Sequence, residues 1–322
     1  LHALAQQGIS PFGVYVTSPD YLGGMQDIPA LAAVCRAQGV PLLVDNAHGA
    51  YLRFLPQNCH PIAQGAAMCC DSAHKTLPAV TGGAYLHLAH DAPVQDEAAV
   101  RGALALFGST SPSYLILQSL DACNAVLAGN YPQRLSQCCA ALEGLRRSLN
   151  KAAAARQCPV PLAVAGAQQE PMKLTLDAAA LGCTGTALAD ALRRAQLECE
   201  YADPRYVVLM FTPENPPQDF ERLQTALEQL LTAVPAGLPR PENRAGEFAA
   251  LQQQAVQRCT IRQAVLGAQV RVPVHKALGR VCAMPTVSCP PAIPVAVSGE
   301  EITPAAIALM QRYGIEEISV LR

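Results

Sequence analysis

The sequence predicts an α/β protein whose first part is built on a mostly parallel sheet. Short apolar runs alternate there with helix-patterned segments, two of those runs stop at acidic residues, and a later part mixes strands with helices in a different order. Phe12-Gly13-Val14-Tyr15-Val16 reads as the first strand. Asp27 then caps a helix that puts Ile28, Leu31, Ala32 and Cys35 on one face, and Gly39 ends it. Pro41 to Val44 is a buried strand ending at Asp45, and Ala66 to Cys70 is another, placed just before Asp71-Ser72. Gly83 to Leu88 follows as a further strand. From Tyr114 to about Arg156 the pattern is helical, with an interruption near Gly129-Asn130-Tyr131-Pro132.

Beyond this helical stretch a smaller α+β domain is expected. Met172 to Leu176 alternates as a half-buried strand, Thr184 to Ala195 reads as a helix, Tyr206 to Phe211 as a strand, and Phe220 to Leu231 as an amphipathic helix. Pro235 to Pro241 has the proline density of a linker. A C-terminal domain then begins with a helix from Arg244 to Gln257, continues through a Pro-rich segment, and closes with a helix and strand from Pro304 to Leu321. The expected divisions are 1–155, 156–238 and 239–322.

Composition narrows the class. A net charge of -2 gives no electrostatic reason to seek nucleic acid, and 51% hydrophobic content suffices for a large core. No apolar run is long enough to span a bilayer and no signal-peptide pattern opens the chain, so no membrane partner and a cytoplasmic location are expected. The 13 cysteines include the vicinal pairs Cys69-Cys70 and Cys138-Cys139 but no C-x-x-C spacing, which reads as reduced, mostly buried thiols.

The chemistry concentrates around Lys75 and Asp45. Each lies at the end of an expected strand, and in open α/β sheets ligands sit beyond the carboxyl ends of strands. A lysine amine and a carboxylate in one crevice suit pyridoxal 5'-phosphate (PLP), which needs a lysine for its aldehyde and an acid to keep the pyridine nitrogen protonated. A lysine between strands is otherwise an ordinary solvated loop residue; its place in His74-Lys75-Thr76 with Asp45 upstream decides for the cofactor. His48 and His74 are weighed against simple packing, and Ser109 to Tyr114 against a plain helix cap. Asp45, His48, His60 and His74 have metal-ligand chemistry but no recognised metal spacing, so no metal is expected.

Four ordered blocks carry a resemblance: Thr17-Ser18-Pro19-Asp20-Tyr21, Asp45-Asn46-Ala47-His48-Gly49-Ala50, His74-Lys75-Thr76-Leu77-Pro78-Ala79, and Ser109-Thr110-Ser111-Pro112-Ser113-Tyr114. With Pro290-Pro291-Ala292-Ile293-Pro294 and Gly299-Glu300 added, the chain resembles the ornithine/lysine/arginine decarboxylases, which are fold-type I PLP-dependent enzymes. The resemblance implies catalytic roles for Lys75, Asp45 and His74. It also implies a cofactor site made of Lys75, Asp45, Ala47 packed flat on the ring, His48, Ser72, His74, and Thr110 donated across a homodimer interface. Its fold would be a transferase-like large domain, a smaller α+β domain and a C-terminal decarboxylase domain. The reaction would be decarboxylation of arginine, lysine or ornithine towards polyamines. A silent homologue serving as a partner subunit, or a PLP aminotransferase or lyase, are the rival readings.

The same resemblance places Leu1 well inside the large domain, so the family's N-terminal phosphate-cradling and ring-stacking segment is expected to be missing from this sequence. Departures from the family pattern are Asn46, Tyr51, Cys289, Ala292 and Ser298.

Overall fold

The computed structural model describes residues 1–235, 251, 253–284 and 294–322. In chain order the elements are α1 (His2–Gln6), β1 (Val14–Thr17), α2 (Ile28–Ala37), β2 (Leu42–Asp45), β3 (Met68–Asp71), α3 (Ala73–Thr76), β4 (Tyr85–Leu88), α4 (Glu97–Phe107), α5 (Tyr114–Ala128) and α6 (Tyr131–Ala155). They continue with β5 (Lys173–Asp177), α7 (Gly185–Arg194), β6 (Tyr201–Ala202), β7 (Tyr206–Met210), α8 (Pro217–Thr232), α9 (Ile261–Leu266), β8 (Gln269–Pro273), β9 (Cys282–Met284), α10 (Pro304–Arg312) and β10 (Glu317–Leu321). Among the described residues three sheets result, ordered β1-β2-β3-β4, β5-β7-β6 and β8-β10-β9. The chain divides into two compact units. The first holds Leu1–Arg156, Pro161–Leu176 and Val208–Val234; the second holds Gln157–Val160, Asp177–Val207 and Pro235–Arg322.

In the first unit, β1 and β2 pair in parallel, as do β2 and β3, while β4 runs antiparallel to β3. The sheet is therefore partly parallel, as its apolar runs imply. Asp27 caps α2 by accepting the Ala30 amide at 3.0 Å, and Ile28, Ala32 and Cys35 turn inward onto Leu42, Val44, Ala66 and Cys69. Burying each large aliphatic chain there contributes about 1.5–3 kcal/mol. Gly39 ends the helix at φ +65°, a left-handed conformation that glycine adopts without strain. The long helix α6 buries Tyr131, Leu135, Cys138, Leu142, Leu145 and Leu149, a three-four spacing that makes one apolar stripe, and α8 packs on it through Leu223, Leu227 and Leu231.

Several boundaries differ from expectation for local reasons. The first strand starts at Val14 rather than Phe12, because pairing begins where the Val14 amide donates to the Pro41 carbonyl, and Phe12 is exposed. Asp71 belongs to β3 because it pairs with Tyr85. Helix α4 was not expected; Asp96 caps it, but it buries none of its residues, so it carries no core-facing stripe.

In the second unit, β10 pairs antiparallel with β8 and β9, and Ile302, Ala306, Leu309, Met310, Ile318 and Val320 form the centre of its core. A capping box between Thr260 and Gln263 starts α9. The proline linker beyond Pro235, most of the helix expected from Arg244 to Gln257, and Cys289 through Ile293 of the C-terminal motif lie outside the described residues. Among the described residues no helix is long and apolar enough to cross a membrane.

Candidate active site

Parallel pairing brings Asp45 level with Cys70, so the C-terminal ends of β2 and β3 lie side by side. Asp45 is half-buried, and its Oδ1 accepts the Ala47 amide at 3.0 Å, which curls the chain after β2 into a short turn. Tyr15 on β1 shares the Asp45 face. Burial, then the Asp45 carboxylate, the Cys70 thiol and a hydrogen bond to Asp45 push the Tyr15 phenol up to about 12, so it stays a neutral donor. After β3, Ser72 is the N-cap residue of α3, and its hydroxyl makes no capping bond. This one-turn helix presents His74 and Lys75.

Lys75 is half-buried and its Nζ lies 3.2 Å from Nε2 of His48. His48 is buried, and its imidazole stands edge-on to the Tyr21 ring at 4.9 Å. Burial, followed by the charges of Lys173, Lys75 and His74, pulls the His48 pKa down to about 3. The ring is therefore neutral at physiological pH, Nε2 accepts from the Lys75 amine, and the hydrogen sits on Nδ1, a buried atom with no partner. Among the described residues the Lys75 amine makes no ion pair, and its partner is the His48 ring.

His74 turns away from Lys75. Its Nδ1 donates to the Gly83 carbonyl at 3.0 Å, which leaves Nε2 as the free ring position. Ala47, half-buried, follows Asp45 in the turn. Lys75, His48, Asp45, Ala47, Ser72 and His74 thus gather at the ends of two neighbouring strands. Thr110 does not join them. It is exposed between α4 and α5, and among the described residues no hydrogen bond links it to Lys75. Nor does it cap α5, whose N-cap residue is Ser113. Exposed apolar side chains flank it: Leu106, Phe107, Tyr114 and Leu115.

A buried ionic cluster supports the His48 side of the site, and sequence patterning missed it. Lys173 Nζ donates to the Asp20 carbonyl at 2.9 Å, lies 5.6 Å above the Tyr21 ring, and is 3.9 Å from Glu170 Oε1. Glu170 accepts from the Tyr51 hydroxyl and from the Met172 amide, the latter at 2.7 Å. Burial pushes the Glu170 carboxyl up, against the opposing pull of Lys173, Tyr51, Met172 and Arg146. The Arg146 guanidinium in turn donates to the carbonyls of Glu170, Pro171 and Lys173. A charged pair, Glu170 and Lys173, three residues apart in an otherwise apolar strand entry was the available signal.

Comparison with known proteins gives the fold and the family. The chain has the fold of the E. coli constitutive lysine decarboxylase, at a TM-score of 0.71 and 17% identity over 97% of this chain and 58% of that one. Residues 2–168 match the major domain of the Orn/Lys/Arg decarboxylases, and the chain belongs to that family. The Bacillus subtilis protein YaaO is 30% identical over 310 residues, covering 93% of this chain and 61% of YaaO. The arginine decarboxylase of Bacillus subtilis is 27% identical over 297 residues, covering 90% of this chain and 59% of that enzyme. The chain thus spans roughly three-fifths of the length of these relatives.

Proposed function

We propose that this chain serves the PLP-dependent decarboxylation of a basic amino acid, arginine, lysine or ornithine. The observation that carries the reading is the pairing of a Lys75 amine, held by a neutral imidazole, with an Asp45 carboxylate at the end of the adjacent parallel strand. These residues fit the cofactor. Among the described residues the amine is not tied up in an ion pair, the carboxylate stands at the strand end, and the buried His48 Nδ1 lacks a partner that a polar ligand could supply. When bound, PLP supplies the ring that accepts the electron pair left as carbon dioxide departs.

The chain's own residues would do the rest. Asp45 would hold a proton on the ring nitrogen, and Lys75 would carry the cofactor and later receive it back from product. His48 would accept a hydrogen bond from the Lys75 amine without imposing a second charge. Ala47 would leave room for a flat ring, and Ser72 and His74 Nε2 would supply polar contacts at its edge. The exposed apolar residues around Thr110 support a homodimer in which Thr110 reaches the partner's site. A reducing compartment such as the cytoplasm suits the buried free thiols of Cys35, Cys69, Cys123, Cys138 and Cys282.

The test loads the protein with PLP, reduces with borohydride and maps the labelled lysine, alongside carbon dioxide release from arginine, lysine and ornithine. Lys75 should carry the label, and Lys75→Ala should lose it. Label on another lysine would refute the site. A labelled Lys75 with no carbon dioxide from any of the three substrates would refute the reaction and leave a silent homologue.

A further inference from the structure

On the other face of the same sheet lies a second cluster. Strand side chains alternate, so Cys69 and Asp71 share one face of β3, whereas Cys70 points with Asp45, its Sγ 3.9 Å from Asp45 Oδ1. Antiparallel pairing sets His87 of β4 directly across from Cys69, and therefore on the Asp71 face. His60 arrives from the turn before Pro61, where its amide donates to Asn58 Oδ1 at 3.1 Å. His60 Nε2 stands 3.1 Å from Asp71 Oδ2, and His87 Nε2 stands 3.0 Å from the same oxygen. The three donor atoms lie within 4.8 Å of one another. His60 and Asp71 are buried, while the His87 side chain keeps 38% of its exposure.

We propose that His60, Asp71 and His87 bind one divalent transition-metal ion of the Zn2+ class, with its fourth coordination position opening beside His87. The donor set is the first argument. Two imidazoles and one carboxylate suit a borderline ion, whereas Ca2+ and Mg2+ prefer oxygen alone. Spacing is the second. Tetrahedral bonds of about 2.0–2.1 Å place donor atoms about 3.3–3.4 Å apart, so the imidazoles need retreat from Asp71 by only a few tenths of an ångström. The third is support for the carboxylate. Asp71 Oδ1 accepts the Asn46 side-chain amide at 2.7 Å, which leaves Oδ2 as the single coordinating oxygen and fixes its direction.

The competing view is a self-satisfied polar network in which both Nε2–H groups donate to Oδ2. It asks one oxygen to take two imidazole donors while the other takes the amide. Coordination relieves that crowding: each Nε2 lone pair faces the ion, with the ring hydrogen on Nδ1. The ion would clasp β3, β4 and the His60 turn directly before the short helix that carries Lys75.

The full chain, stripped with a chelator, is titrated with Zn2+ and separately with Co2+. One ion per chain is expected, with visible cobalt bands of a four-coordinate nitrogen–oxygen site and a raised melting temperature. His87→Ala, at a partly exposed position, should weaken binding more than about 100-fold with an unchanged circular dichroism spectrum, and Asn46→Ala should weaken it by about 10–100-fold. His60→Ala is the second ligand variant if His87→Ala fails to fold. Less than one ion per chain at saturation, a thiolate-to-cobalt charge-transfer band, or equal affinity in His87→Ala would each overturn the assignment.

Discussion

Lys173→Met should destabilise the protein in a strongly pH-dependent way. Lys173 is 3% exposed and is the cation beside Glu170, itself 1% exposed. Methionine keeps the length and apolar stem but leaves the carboxylate with only the Tyr51 hydroxyl, the Met172 amide and the more distant Arg146. Breaking a buried pair by removing one partner costs about 3–5 kcal/mol. At about 2–4 °C per kcal/mol for a unit of this size, the melting temperature should fall by about 6–20 °C. The sign with pH follows from burial, which raises the Glu170 pKa in the folded state. The folded form then holds its proton more tightly than the unfolded one. Stability from the protonated form is present below the ordinary carboxylate range and is lost as pH rises through the raised value. Lys173 opposes that rise, so the variant should lose most at neutral to alkaline pH and recover part of the loss near pH 5. Near-ultraviolet circular dichroism melts across that range, with Glu170→Gln added to Lys173→Met, are the assay. The double variant should regain stability at neutral pH. A loss below about 1 kcal/mol with an unchanged pH slope would refute a buried, dry pair.

Asp45→Asn keeps the side-chain shape but removes the charge, so decarboxylase activity should drop by roughly two orders of magnitude or more while the melting temperature moves by only a few degrees; turnover and melting are measured together. Mixing Lys75→Ala and Thr110→Val subunits should restore activity in mixed dimers, and mixed dimers that stay inactive would remove Thr110 from the site. Gly185→Ala would drive its Cβ into the carbonyl oxygens of Asp203 and Tyr206, so it should destabilise by about 1–3 kcal/mol in urea unfolding. Leu142→Ala, fully buried on α6, should cost about 2–5 kcal/mol by the same measurement.

The parts of the fold legible in the sequence were those with local signals. Asp27 and Gly39 bracket α2 as their capping chemistry requires, and the break at Asn130-Tyr131-Pro132 separates α5 from α6. The placement of Asp45 and Lys75 at neighbouring strand ends was legible because each follows an apolar run. Helix α4 was not, since it has a capping Asp96 but no buried stripe to give a period. The neutrality of His48 was equally hidden, because it depends on burial and on Lys173, which is remote in sequence. The sequence groups His60 with Asp45, His48 and His74; its grouping with Asp71 and His87 is hidden from spacing, since strand register rather than chain distance brings them together.

The contrast between Lys75 and Lys173 has a practical consequence for chemical labelling. The whole chain contains four lysines, Lys75, Lys151, Lys173 and Lys276, of which Lys151 and Lys276 are exposed. Among these lysines an amine-directed reagent therefore meets two open targets, one half-shielded amine and one buried against the Tyr21 ring. Acylation of Lys173 can proceed only when that seal parts, so its rate relative to Lys151 reports the free energy of local opening. A protein this poor in amines serves as its own calibrated probe of how often the floor beneath His48 comes loose.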